Sequence, residues 1–233
     1  MPPKYQQILR ELSQRVDAMD PGDALPPEEE LAREFQVSPM TVRRALTILL
    51  EAKRVVGVRG KGTFVAPRPM RRLMTLSSFS ETMRATGRTP RSEVISASTV
   101  AATPEAAELL HISAGDQVHR LRRLRFGDDT PVAVDRTLLP AARYPGLLDQ
   151  DLTGSLYALL RRRYRVEVRR AVSDISAVLP EAEDRARLGL SQVVPCLGVR
   201  AIAMDEEGRV VELTDSTYRG DLYTLRVEHS PLG

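Results

Sequence analysis

The sequence predicts an α+β protein in two parts, a small and mainly helical N-terminal unit followed by a larger one built on antiparallel strands. Three observations carry this. Residues 3–52 hold three apolar stripes at helical spacing, followed by two short strand runs around a pair of glycines. Beyond residue 73 short helical patterns alternate with strand patterns. That later region also repeats a helix-plus-hairpin unit. At 233 residues the chain exceeds one typical domain, and 42% hydrophobic with 28% charged residues is enough to bury two cores.

Taken in order, Pro3 to Met19 form an amphipathic helix, with Tyr5, Ile8, Leu9, Leu12 and Val16 on one face and Asp20-Pro21-Gly22 as the stop. A short second helix follows Leu25-Pro26-Pro27. Glu28, Glu29 and Glu30 occupy its first turn, where acids suit the helix dipole, while Leu31, Ala32 and Phe35 point inward. After the turn at Gln36-Val37, Ser38 serves as N-cap and Pro39 fits the first helical position, where its missing N–H loses no partner. Val42, Ala45, Leu46, Leu49 and Leu50 make one stripe facing the core, leaving Met40, Thr41, Arg43, Arg44 and Thr47 outside. A short helix, a tight turn and an outward polar helix make a helix-turn-helix, whose second helix lies in the major groove of DNA. Val55–Val58 and Thr63–Val65 then form a hairpin around Arg59-Gly60-Lys61-Gly62. The glycines permit φ > 0 and let the tip approach a sugar-phosphate strand closely, as a wing does.

Charge follows the same division. Residues 35–72 carry Arg43, Arg44, Lys53, Arg54, Arg59, Lys61, Arg68, Arg71 and Arg72 against Glu51 alone, whereas residues 1–34 are net acidic. Such a patch attracts a phosphate backbone. The proline- and arginine-rich stretch Ala66-Pro67-Arg68-Pro69-Met70-Arg71-Arg72 has no periodicity and reads as a semi-rigid linker, giving domains at 1–66 and 73–233 with the linker at 67–72.

In the second region Thr103-Pro104-Glu105-Ala106 opens a short helix ending near Leu110, followed by strands at 118–126 and 132–138 around Gly127-Asp128-Asp129. Leu179-Pro180-Glu181-Ala182 repeats the opening, followed by strands at 196–204 and 210–217 around Asp205-Glu206-Glu207-Gly208. Between the copies lies Leu152 to Val168, with a helix at Ser155 to Tyr164. Paired hairpins predict one antiparallel sheet with a cleft.

Several functions are disfavoured. No apolar run reaches membrane-spanning length, and the first residues, through Tyr5-Gln6-Gln7, hold no signal-like apolar stretch, so a cytoplasmic chain is expected. The single cysteine, Cys196, sits among apolar residues and reads as a buried thiol. His111, His119 and His229 are scattered as surface or packing residues, no G-x-S-x-G elbow or H-E-x-x-H spacing occurs, and no metal or other cofactor is expected.

On these motifs, residues 3–66 resemble the GntR-type winged-helix domain, through Leu25-Pro26, Glu28, Glu30-Leu31, Val37-Ser38, Met40 to Leu46 and Gly60 to Val65. Residues 73–230 resemble the UTRA effector domain of its HutC subfamily, through Ser78-Phe79-Ser80, Arg123-Leu124-Arg125, Leu139-Pro140, Pro145-Gly146-Leu147, Gly154-Ser155-Leu156-Tyr157 and Tyr218-Arg219-Gly220-Asp221. The resemblance implies a C-terminal sheet of chorismate-lyase-like fold. It also implies a homodimeric transcription factor, usually a repressor, that leaves a pseudo-palindromic double-stranded operator when a small molecule enters the UTRA cleft. The DNA contacts it implies are Ser38, Met40, Thr41, Arg43 and Arg44 on the reading helix and Arg59, Gly60, Lys61, Gly62 and Thr63 on the wing. Either Arg43 or Arg44 could read bases. Three residues depart from the family pattern: Pro27 replaces a common capping serine, and Glu29 and Pro39 stand where arginines or polar residues are frequent.

Strand alternation places Arg123 and Arg125 on one face and Leu124 with Phe126 on the other. Two neighbouring arginines repel unless neutralised, which leaves solvent exposure, a salt bridge to Asp135 or Glu212, or a bound anion. The resemblance implies the last, an acidic or phosphorylated effector held with Ser155 and Tyr157 at a helix N-terminus and with Phe79, Ser80, Asp135, Glu212 and Tyr218 nearby. Two rivals stand beside it: a C-terminal domain that only dimerises, and a chorismate-lyase-like enzyme.

Overall fold

The computed structural model describes residues 3–66, 70–73, 76–191 and 193–226, with the side chains of 70–73 outside that description. It divides into two compact units, Met1–Arg68 and Pro69–Gly233.

In the first unit α1 (Lys4–Ala18), α2 (Glu28–Glu34) and α3 (Pro39–Glu51) precede the antiparallel hairpin of β1 (Val55–Val58) and β2 (Gly62–Val65). Their apolar stripes meet in one core, where Ile8, Leu12 and Val16 of α1 pack with Leu31 of α2 and Val42, Ala45, Leu46 and Leu49 of α3. Leu50, expected in that stripe, is instead 40% exposed. Eight residues after Val42 at about 100° each, it has rotated roughly 80° away from the stripe's centre. Helix α2 begins at Pro27 with no side-chain cap, as a proline there requires. Ala24 bridges to Phe64, and the Leu25 N–H donates to the Thr63 carbonyl at 2.8 Å, so the hairpin is tied back to the α1–α2 connection.

The second unit begins at β3 (Met70–Leu73) and α4 (Phe79–Ala85), which a full Ser78/Glu81 capping box starts. There follow β4 (Pro90–Ala101), α5 (Pro104–Leu110), β5 (Gln117–Gly127), β6 (Thr130–Pro140) and the short α6 (Leu156–Leu159), which widens into a π-helical turn over Leu160–Tyr164. The chain continues with β7 (Arg170–Val178), α7 (Ala182–Arg187), β8 (Cys196–Met204), β9 (Val210–Arg219) and β10 (Tyr223–Arg226). Six strands form one sheet in the order β4-β5-β6-β9-β8-β7, antiparallel at every pairing. The repeat is therefore larger than its hairpins: each copy is strand, helix, hairpin, and the two join through β6 and β9. Strands β4 and β7, at the sheet's edges, are mostly exposed and mix polar with apolar residues on both faces, so no apolar alternation announces them.

The linker expected at 67–72 overlaps a strand at its C-terminal end. Residues 67–69 lie outside the described residues, and Met70, Arg71 and Arg72 form β3 with Leu73, paired parallel to β10. A partner some 150 residues away decides this pairing, and no local pattern signals it.

The sheet's two faces are covered differently. Leu124, Phe126 and Val134 pack with Leu188 and Leu190 after α7, and Val118 and Leu213 pack with α5. On the other face Leu121 and Leu139 pack under α6 and the turns around Tyr144 and Leu147, while Met83 of α4 packs on Ala133 and Tyr218. Between those two coverings the second face is left open.

Candidate functional site

The first unit presents α3 and the hairpin tip. Ser38 caps the helix, its Oγ accepting from the Thr41 N–H at 3.3 Å and lying 2.9 Å from the Thr41 hydroxyl. Met40 stands out at 68% exposure. The two arginines differ. Arg43 donates from Nε and Nη2 to Glu28 Oε2 of α2, at 2.9 and 2.7 Å, with its side chain still 60% exposed. Arg44 turns the other way, its guanidinium 4.1 Å over the ring of Tyr5 on α1. At the wing, Gly60 (φ +75°) and Gly62 (φ +113°) adopt left-handed backbone that other residues avoid, and the Lys61 N–H closes the turn on the Val58 carbonyl at 2.9 Å. Arg59, Gly60, Lys61 and Gly62 are exposed and Thr63 is half-buried. Arg54 belongs to the fold instead: it binds Asp17 and the Ser13 carbonyl of α1.

The open part of the sheet's second face holds a cavity of about 240 Å³. Of the residues expected to bind a ligand, Phe79, Arg123, Arg125, Asp135, Ser155, Tyr157, Glu212 and Tyr218 line it together. Ser80 does not. It is buried within α4, one helical step past Phe79 and turned from the cavity, which is lined by Ser77 and Ser78 instead.

Solvent exposure of the two arginines is ruled out by their burial, at 4% and 2% exposed. Arg123 donates from Nη1 to the carbonyls of Leu152 and Gly154 at 3.4 and 3.3 Å. Burial, with Arg125 beside it, pushes its pKa down to about 10, so it remains a cation at neutral pH. Arg125 places Nε 3.4 Å from Asp135 Oδ2 and stacks its guanidinium 4.2 Å from the Phe79 ring. Of the alternatives, the salt bridge to Asp135 is thus present, though too poorly directed to be a hydrogen bond. Asp135 also accepts from the Ser216 hydroxyl at 2.8 Å. Burial raises the pKa of Glu212 despite hydrogen bonds from Tyr157 and Thr214 and the nearby Arg123 cation. Arg123 Nε, Arg125 Nε and Nη1, and Glu212 Oε2 have no hydrogen-bond partner. Buried polar groups left this way are costly unless something supplies the missing partner.

Sequence reasoning missed Thr137, Ser173, Thr214 and Ser216, which also line the cavity. Alternation could have found three of them: Thr137 follows Asp135 by two positions, and Thr214 and Ser216 follow Glu212 by two and four.

His119 is buried between the Thr99 hydroxyl (3.0 Å from Nδ1) and the Tyr144 carbonyl (2.9 Å from Nε2), a packing role, and His111 ends α5 in left-handed backbone. His229 lies outside the described residues. Cys196 is buried, which pushes its thiol pKa up. Among the described residues no helix is long and apolar enough to cross a membrane.

The sequence matches the family described as bacterial regulatory proteins, gntR family, over residues 4–65 and the UTRA domain over residues 85–224. It is 35% identical over 223 residues to the HTH-type transcriptional repressor PhnF of Mycolicibacterium smegmatis, covering 95% of this chain and 91% of that protein. To the HTH-type transcriptional repressor NagR of Bacillus subtilis it is 30% identical over 226 residues, covering 96% and 93%. The crystal structure of PhnF from Mycobacterium smegmatis superposes with a TM-score of 0.72 at 33% identity, over 96% of this chain and 99% of that one.

Proposed function

The chain belongs to the gntR family of bacterial regulatory proteins and carries a UTRA domain, and from that premise we propose that an anionic small molecule held by Arg123 and Arg125 releases a homodimer of this protein from its operator. The protein is a ligand-responsive, DNA-binding transcriptional repressor and not an enzyme, in keeping with relatives named as transcriptional repressors. In this reading residues 1–66 bind DNA and 73–233 bind the effector and dimerise, in the cytoplasm. Helix α3 enters the major groove with Ser38, Met40, Thr41, Arg43 and Arg44, and the wing follows the backbone with Arg59, Gly60, Lys61, Gly62 and Thr63. An arginine that meets guanine bidentately contributes roughly 1–3 kcal/mol of discrimination, while Lys61 senses phosphate.

One observation carries the effector class: two buried guanidiniums, of which Arg125 has a carboxylate at 3.4 Å and Arg123 is held by backbone carbonyls, that both keep unpartnered N–H groups. An anionic group supplies acceptors for them. Transmission follows from Phe79, which stacks on Arg125 at the start of α4. A ligand that draws Arg125 toward itself shifts the ring and the helix behind it. The segment joining α4 to the DNA-binding residues then changes the separation of two reading helices from the roughly 34 Å between successive major-groove faces.

The test is thermal unfolding against inorganic phosphate, sugar phosphates and organic acids, with retention of a DNA fragment from beside the protein's own gene measured in parallel. An effector present at 100 times its Kd adds about 2.7 kcal/mol. The expected result is stabilisation and DNA release by one anion, both lost in Arg123→Met. If every anion in a broad panel is inert while DNA is still retained, a C-terminal domain that only dimerises is the better account.

A further inference from the structure

Between Leu159 and Ala171 the chain carries six arginines and one acid, Glu167, which Arg169 takes at 3.0 Å. Four of the six, Arg161, Arg162, Arg163 and Arg165, fall within five positions, and all four are exposed. The π-helical turn makes this display. Leu160 is buried with Leu156 and Leu159, and Tyr164 packs on the same core while its hydroxyl donates to the Pro145 carbonyl at 2.9 Å. Held on that inner side, the widened turn spreads its guanidiniums over the outer side. Arg165 ends the turn in left-handed backbone (φ 58°), a position that glycine or asparagine fills with less strain. Cations at a helix C-terminus complement its dipole, which accounts for a cation there but not for a run of them. Nor is the charge cancelled. Arg162 and Arg165 have no carboxylate partner among the described residues. Arg161 acts on Glu81 of α4, as does the exposed Arg84, but that carboxylate is already taken by the Ser78 N–H and hydroxyl, each at 2.8 Å.

We propose that this arginine turn is a second contact for duplex DNA, made by the C-terminal unit to phosphates outside the segment that the N-terminal unit reads. The occupant follows from what surrounds the charge. From residue 95 to residue 171 no large apolar side chain is exposed. A surface of cations without apolar anchors is unlike the core of a protein interface, and unlike the apolar-faced helices that lie on lipid. It fits a regular polyanion, and arginine forks match phosphate oxygens. The proposal rests on the DNA-binding function of the other unit, which holds the duplex and so makes the second encounter intramolecular. Guanidiniums on a convex turn meet the backbone rather than base edges, so the contact adds affinity and salt dependence without reading sequence.

The full-length protein with Arg161→Ser, Arg162→Ser and Arg165→Ser together tests this, against a control that removes three exposed arginines elsewhere, Arg91→Ser, Arg120→Ser and Arg187→Ser. In anisotropy titrations on a random-sequence duplex of about 60 base pairs, the turn variant's slope of log affinity against log salt should fall by about two to three, near 0.9 per lost phosphate contact. The control should change the slope by less than about one. A second arm alters one residue at a time: Arg162→Cys bearing a photocrosslinker should label the duplex, and Arg187→Cys bearing the same group should not. Equal loss in the two triple variants would reduce the effect to net charge, and an unchanged slope or an unlabelled duplex would likewise overturn the proposal. Turn-dependent binding to vesicles of anionic phospholipid, with the DNA slope unchanged, would assign the patch to a lipid surface instead. A parent protein that retains no duplex at all would defeat the DNA-binding function along with this contact, whereas the other failures leave that function standing.

Discussion

Arginine stands at both candidate sites of this molecule under opposite conditions. On α3, Arg43 lies in water beside one carboxylate, Glu28, and can exchange it for a phosphate or a base edge. In the UTRA cavity Arg123 and Arg125 are sealed from solvent, and Asp135 holds one of them from 3.4 Å. Exposed pairs contribute little to stability, a median near 0–1 kcal/mol, whereas removing one partner of a buried pair leaves a desolvated charge behind. The same side chain is therefore a replaceable contact in one unit and a structural commitment in the other.

The contrast breaks most visibly if Arg125→Ala is tolerated. Its loss strands Asp135 in the cavity, and chemical unfolding of the second unit should show a destabilisation of about 3–5 kcal/mol. Next in size, Arg43→Ala should leave folding almost unchanged yet weaken operator binding by about 1–3 kcal/mol relative to random duplex in anisotropy titrations. Equal loss on both duplexes would mean that Arg43 reads no base. Lys61→Ala should weaken both duplexes alike and reduce the slope of log affinity against log salt by about one.

Glu212 sharpens the comparison through pH. Its carboxyl is raised in the folded state by burial, so the native protein holds a proton that the unfolded chain releases, and the associated stability is present at low pH and falls as pH rises through the native value. Glu212→Gln should flatten that decline, measured as melting temperature from the ordinary carboxylate range upward in pH. A parallel decline in both proteins would show that Glu212 titrates normally. The smallest expected effect is at Glu28: Glu28→Gln frees Arg43 and should tighten binding to random duplex by a few tenths of a kcal/mol.

The reading helix was legible because Ser38, Pro39 and the stripe from Val42 to Leu49 agree on one element, and capping, propensity and periodicity are all local. The cavity was legible in part through parity, since alternation along β5 put Arg123 and Arg125 on one face, while Asp135, Glu212, Ser155 and Tyr157 were reached through the family resemblance. What local patterns could not reach were partnerships across the chain. Arg44 on Tyr5, Arg54 on Asp17 and β3 beside β10 depend on where distant segments come to rest. Ser80 and Leu50 mark the finer limit, where one helical step turns a side chain from a shared surface.

With Arg43 on the reading helix as proposed, the hold of Glu28 on it bears on how this repressor searches a chromosome. A guanidinium already satisfied by one carboxylate gains little from a stray phosphate, which merely swaps one acceptor for another. It gains more where a guanine offers two acceptors at once and neighbouring contacts fix the geometry. The acid on α2 thereby sets a threshold: brief stops at irrelevant sequence stay brief, and lingering is reserved for the site that meets the arginine with both hands.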